Sequence, residues 1–97
     1  MAKGYWISCY HSVKDPEKLA AYAKLAAPAI LQAGGRFLVR GPAAKAYEQG
    51  HLQRTVVVEF ENLAAATAVR EGAGYQEALR VLGDAVERDF RIVEGAG

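Results

Sequence analysis

Strand-like and helix-like patterns alternate along the chain. Tyr5, Trp6, Ile7 and Tyr10, with small Ser8 and Cys9 between them, predict a first strand over Gly4 to His11. Its faces carry Tyr5, Ile7, Cys9 and His11 on one side and Trp6, Ser8 and Tyr10 on the other, and neither is plainly polar. A sheet covered on both sides accounts for that. Asp15-Pro16-Glu17 then reads as a helix start: a carboxylate to cap the free N–H groups, a proline where no bond is lost, and an acid at the positive end of the dipole. Leu19, Tyr22, Ala23, Ala26 and Ile30 recur at helical spacing, while Pro28 inside the pattern predicts a kink or a break. Gly34 is the natural stop.

Gly34-Gly35-Arg36-Phe37-Leu38-Val39-Arg40-Gly41 predicts the second strand. Strict alternation puts Arg36, Leu38 and Arg40 on one face and Phe37 and Val39 on the other. From Pro42 to Gln53 the pattern fits either a continued strand with a hairpin tip at Gln49-Gly50-His51 or a surface loop. Arg54-Thr55-Val56-Val57-Val58-Glu59-Phe60 is apolar on both faces and predicts a central strand. Val56, Val58 and Phe60 share one side; Thr55, Val57 and Glu59 share the other. Asn62 caps a helix from Leu63 to about Glu71, Gly72-Ala73-Gly74 interrupts it, and a second helical piece runs from Tyr75 to about Leu82. Arg88-Asp89-Phe90-Arg91-Ile92-Val93-Glu94 is a charged last strand, suited to a sheet edge.

Strand, helix, strand, strand, helix, strand is the β-α-β-β-α-β order of the ferredoxin-like fold, an α+β class. Right-handed crossovers give a four-stranded antiparallel sheet with helices on one face. The other face stays open, and a central strand apolar on both sides makes that face a large exposed patch unless something covers it. A homodimer packed sheet against sheet is the expectation.

Composition narrows the function. The 97 residues suit one domain, residues 1–97, and the 12 basic and 11 acidic residues leave a net charge of +1. That balance supplies no electrostatic footprint for nucleic acid or a membrane surface. The single cysteine, Cys9, excludes an intramolecular disulfide and a multi-thiolate zinc site. The opening residues lead into no long apolar core of a secretory signal, and no uncharged apolar run reaches the ~20 residues of a spanning helix. A cytoplasmic location is the expectation.

Together, Gly4-Tyr5-Trp6-Ile7, Asp15-Pro16, the stretch Gly34 to Gly41, the strand Arg54 to Phe60, Tyr75-Gln76, Arg88-Asp89 and Ile92-Val93-Glu94-Gly95 resemble the domain-of-unknown-function family 1330 over nearly the whole chain. The Gly-Gly-Arg strand and the valine-rich strand ending in Glu-Phe are its specific parts. Many members carry an aromatic and a Ser-Pro before the tyrosine matching Tyr75, where this chain has Val69-Arg70-Glu71-Gly72-Ala73-Gly74. The resemblance implies a dimeric α+β barrel, two ferredoxin-like subunits enclosing a pocket, and implies no particular reaction.

Several residues are candidates for chemistry. Arg36 and Arg40 suit an anion clamp for a carboxylate or enolate, with Glu59 orienting an arginine or acting as base; the plainer alternative is a structural ion pair near the dimer seam. His11, at a strand end, is a candidate general base or a solvated side chain. Tyr10 and Tyr75 are candidate ligand-binding phenols or core residues. Cys9 reads as a small hydrophobe. His11 and His51 have no metal-ligand spacing, Ser8 and Ser12 lack a hydrolase elbow, and Gly72-Ala73-Gly74 is no phosphate loop. No metal and no tightly bound cofactor are expected. By fold analogy the expectation is a protein that binds a small, anionic or carbonyl-bearing molecule in the pocket of a homodimeric barrel, as a cofactor-independent monooxygenase- or isomerase-like enzyme; the alternative is a non-catalytic ligand-binding or stress-related dimer.

Overall fold

A computed structural model describes residues 2–97. The elements run β1 (Gly4–Val13), α1 (Pro16–Gln32), β2 (Arg36–Pro42), β3 (Arg54–Phe60), α2 (Leu63–Glu71), α3 (Ala73–Leu82) and β4 (Val86–Glu94). All strand pairs are antiparallel and the sheet order is β2-β3-β1-β4. This is the ferredoxin-like arrangement, with the second helical segment split in two. The valine-rich β3 is central and the charged β4 is an edge, as their patterns predict, and β1 is the other central strand. No helix among the described residues is long and apolar enough to cross a membrane.

The helix ends follow their capping residues. The Asp15 carboxylate accepts from the Lys18 N–H at 3.1 Å, and the Asn62 side chain accepts from the Ala65 N–H at 2.8 Å. Gly72 both ends α2 and opens α3, which begins at Ala73 rather than Tyr75. Pro28 does not break α1, which runs through it. Pro28 and Lys24, whose carbonyl loses its N–H partner, are both exposed, so water can take the lost bond while the stripe of Tyr22, Ala26 and Ile30 stays buried.

The two glycines before β2 do different work. Gly34 has φ +88°, the left-handed turn that ends the helix. Gly35 is a close approach: a Cβ there would lie 2.6 Å from Ile30 Cγ2 and 2.9 Å from Phe60 Cε1. Residues 43–53 form a loop, with a turn closed by the Gly50 N–H on the Tyr47 carbonyl at 2.9 Å.

The core lies between the sheet and the helices. Trp6 packs at 4.9 Å from Phe60, 4.8 Å from Tyr75 and 5.2 Å from Phe90 between ring centres, and its indole N–H donates to the Ala66 carbonyl at 2.8 Å. The opposite face carries Tyr5, Ile7, Cys9, Thr55 and Val57, all partly exposed, beside the more exposed Val39 and Val93.

One expectation about β2 is overturned. Arg36 pairs with Glu59 and Phe37 with Val58, but the next pairs are Val39 with Val57 and Arg40 with Val56. Leu38 is therefore the extra residue of a β-bulge. An extra residue reverses the alternation beyond it. Arg36 stays on the open face, whereas Arg40 crosses to the helix side, its guanidinium 4.4 Å from the ring centre of Phe37. The two arginines do not share a face.

Candidate functional site

On the helix side, cross-strand pairing stacks the side chains in rows. Phe37, Val58, Trp6 and Ile92 form an apolar row. The next, Arg40, Val56, Ser8 and Phe90, is mixed. In the third, Tyr10 pairs with Arg88, and Arg54, one residue beyond the Thr55–Cys9 pair, is level with Tyr10. Polarity and positive charge thus rise along the strands in one direction. A cavity of about 40 Å³ lies over these rows, closed from above by α1 through Leu19, Tyr22, Ala26 and Ile30, and by Tyr75 of α3.

Arg88 organises the polar end. Its guanidinium donates to the phenol oxygens of Tyr10 at 3.0 Å, Tyr22 at 3.4 Å and Tyr75 at 3.3 Å, and the Tyr22 and Tyr75 hydroxyls bond to each other. It also lies against the rings of Tyr10, Tyr22 and Phe90 at 5.2 to 5.4 Å. Among the described residues, the ion pairs include none with Arg40, Arg54 or Arg88. Burial raises the phenol pKa of Tyr10, and burial together with the neighbouring Tyr75 raises that of Tyr22, above the ordinary 10.0; Arg88 opposes both shifts. Burial acts to lower the Arg88 pKa, but the phenol oxygens of Tyr22, Tyr75 and Tyr10 outweigh it and raise it. At neutral pH Tyr10 and Tyr22 thus keep their protons beside the charged Arg88 guanidinium.

Two buried polar atoms at this cavity, Ser8 Oγ and Arg54 Nε, make no hydrogen bond among the described residues. The cavity lining contains no aspartate, glutamate or histidine. The Arg54 Nε–H can only donate and the Ser8 hydroxyl can donate or accept, so with Arg40 and Arg88 beside them the unfilled capacity suits an acceptor-rich, negatively charged group.

The sequence-derived candidates divide between the two faces of the sheet. Arg40, Tyr10 and Tyr75 line the helix-side cavity. Arg36, Glu59 and His11 lie on the open face. There Arg36 Nη2 is 3.4 Å from Glu59 Oε1, and the Tyr5 hydroxyl donates to Glu59 Oε2 at 3.2 Å. His11 Nε2 is 3.0 Å from Asp89 Oδ2, and its ring stacks on His51 of the loop at 4.8 Å. A broader depression of about 610 Å³ beneath that loop holds His11, His51, Cys9 and Asp89. Among the described residues no group of three or more His, Cys, Asp or Glu side chains is placed to hold a metal ion.

Arg88, Arg54, Tyr22 and Ser8 are missing from the sequence-derived set. Parity is the signal for two of them. Arg88 alternates with Val86, Phe90 and Ile92, and Arg54 with Val56, Val58 and Phe60, so each arginine sits in an otherwise apolar row.

Comparison with known proteins follows the fold. Residues 3–96 match the family described as Domain of unknown function (DUF1330). The chain belongs to this family. Two solved structures of the protein RPA0582, from Rhodopseudomonas palustris and described as of unknown function, are similar to this DUF1330 chain. One has a TM-score of 0.77 at 16% identity, covering 99% of this chain and 82% of that one. The other has a TM-score of 0.70 at 20% identity, covering 96% and 80%. A Bordetella bronchiseptica protein with the provisional name antibiotic biosynthesis monooxygenase reaches 0.67 at 17% identity, covering 100% and 98%. A Thermobifida fusca protein described as a dimeric ferredoxin-like protein of unknown function reaches 0.60 at 15% identity, covering 99% and 92%. At these identities the likeness establishes the fold. No curated protein is similar enough to match the chain.

Proposed function

We propose that this DUF1330 protein binds a small oxyanion, the carboxylate or enolate of a carbonyl-bearing molecule, in the helix-side cavity of each subunit of a homodimer. The observation that carries the reading is Arg88: a largely buried guanidinium held by three phenols, with no carboxylate partner. Taking a cation from water is costly unless other groups replace its hydration. Phenols replace the hydration and leave the charge uncancelled, so an anion entering the cavity meets a preorganised positive field. Arg40 and Arg54 add to that field, and Tyr10 and Tyr75 supply the hydroxyls.

In the enzymatic version, Arg88 and the Tyr10 hydroxyl stabilise negative charge developing on a substrate carbonyl oxygen. The fold likeness to a provisionally named monooxygenase suggests cofactor-independent oxygenation or isomerisation as the class. His11, Glu59 and Arg36 lie on the other face of the sheet and do not line this cavity, so proton transfer by them would serve a separate ligand in the space between the two sheets of the dimer. The second reading, a binding dimer without turnover, is favoured by the absence of any carboxylate or imidazole from the cavity lining. The proposed setting is the cytoplasm, in keeping with one free cysteine, Cys9.

The test is thermal denaturation with a panel of small carboxylates, followed by mass spectrometry of the mixtures. Ligand at about 100 times its Kd stabilises the folded state by about 2.7 kcal/mol. The wild type is expected to show such a shift and Arg88→Met to lose it, with Arg88→Lys as a charge-retaining control for folding. Equal shifts in wild type and Arg88→Met would remove Arg88 from the site. New product masses select the enzyme; binding without them selects the second reading.

A further inference from the structure

The rows beneath the cavity differ in kind, and that difference constrains the ligand's shape as well as its charge. At one end lie Arg54, Tyr10 and Arg88; at the other lie Phe37, Val58 and Trp6. Between them sits Ser8, 3% exposed, with its hydroxyl unpartnered. A ligand spanning these rows needs a charged head and an apolar body on one axis. Its body must also be short: about 40 Å³ is room for roughly three waters. Arg40, exposed and stacked on Phe37, stands at the β2 edge of the cavity, so a larger ring system would require that side chain to withdraw.

Resting on the anion-binding reading above, we infer that the ligand is a short monocarboxylate with an apolar tail, for which a small 2-enoic acid serves as probe. Its carboxylate lies among the Ser8 hydroxyl, the Arg54 Nε–H and the Tyr10 hydroxyl, and its tail points toward Trp6 and Phe37. Three features favour this class over other anions. The unfilled polar atoms sit toward the polar end, so a second carboxylate at the far end would be buried against Trp6 and Val58 with the exposed Arg40 at the β2 edge to answer it in place of a buried donor. A free phosphate would fill the donors but leave the apolar end empty. A neutral amide would keep the shape but bring no negative charge to Arg54 and Arg88.

Crotonate, fumarate, crotonamide and inorganic phosphate separate these terms. Fumarate replaces the crotonate methyl by a second carboxylate, and crotonamide replaces the charged head by a neutral one. Trp6, the single tryptophan, lines the cavity, so its fluorescence reports occupancy in a titration of the full chain. Crotonate is expected to bind, with fumarate, crotonamide and phosphate each about tenfold weaker or more. Arg54→Gln is expected to weaken crotonate about tenfold. Ser8→Ala provides a readout with opposite signs: it removes a buried, unpartnered hydroxyl, so the unliganded protein should melt roughly 4 °C higher while crotonate binds about threefold more weakly.

Fumarate or phosphate binding as tightly as crotonate would overturn this inference while leaving Arg88-dependent anion binding in place. Crotonamide matching crotonate would overturn both. Crotonate failing to bind overturns the inference alone when another carboxylate in the Arg88-dependent thermal screen succeeds, and both when none does.

Discussion

Tyr22 meets Arg88 and Tyr75 at the polar end of the cavity, and its ionisation couples folding to alkaline pH. Burial and the adjacent Tyr75 hold its phenol pKa above the ordinary 10.0, so folding favours the protonated form. The unfolded chain, with the ordinary value, releases the proton first as pH rises. The stability from this group is therefore complete at neutral pH and falls away above about pH 10. Thermal melts between about pH 8 and pH 11 should show the wild type losing stability faster than Tyr22→Phe, which has no phenol to ionise. Equal slopes would remove Tyr22 as the source. At this scale the sequence was only partly readable. Tyr10, Tyr75 and Arg40 stand out by residue type, and the structure places all three at the cavity. Arg88 was hidden among the charges of an edge strand, although its alternation with Phe90 and Ile92 marks its side. Ser8 was hidden because a small hydroxyl between aromatics looks like spacing, and only its missing partner gives it meaning.

At the scale of elements, the packing of α1 onto the sheet passes through Gly35. Ile30 and Phe60 are 3% and 1% exposed and cannot retreat, so the Cβ of Gly35→Ala would force α1 and β3 apart. We expect a loss of about 1–3 kcal/mol by urea denaturation, against little change for Gly41→Ala, where a Cβ meets nothing within 4 Å. Little change at Gly35→Ala would mean that the contact relaxes. Capping residues made the helix starts legible, since Asp15 and Asn62 act locally and need no tertiary partner. The bulge was illegible for the opposite reason. Phe37, Leu38 and Val39 are all apolar, so no polar residue marks where the alternation slips. The loop over residues 43–53 was also unreadable, because its pattern suits strand and loop alike.

Across the whole molecule, the two sheet faces are unequal. One is closed by three helices; the other exposes Val39 and Val93 at 47% and 41% around the partly exposed Ile7 and Val57. Such a patch is costly in water, and we propose that a second copy covers it with the same patch. Light scattering should find a dimer at micromolar concentration, and Val57→Asp should shift it toward monomer while retaining the secondary structure. A monomeric wild type would refute this packing. The fold was legible because element order and handedness leave few arrangements of four strands and their helices. The side of the sheet that holds the cavity was not, because element order does not say where side chains leave a void.

The extra residue in β2 matters for reading relatives of this protein. In a strand, one insertion is a change of address: every later side chain moves to the opposite surface with no change in its identity. A relative with the same Arg-x-x-x-Arg letters but an unbroken ladder would show both arginines to the open side, and its cavity would lose the guanidinium that Arg40 supplies here. An alignment without gaps would score the two strands as equivalent. Transferring a ligand-binding role between such proteins therefore requires matching cross-strand partners, Arg40 with Val56, before matching letters.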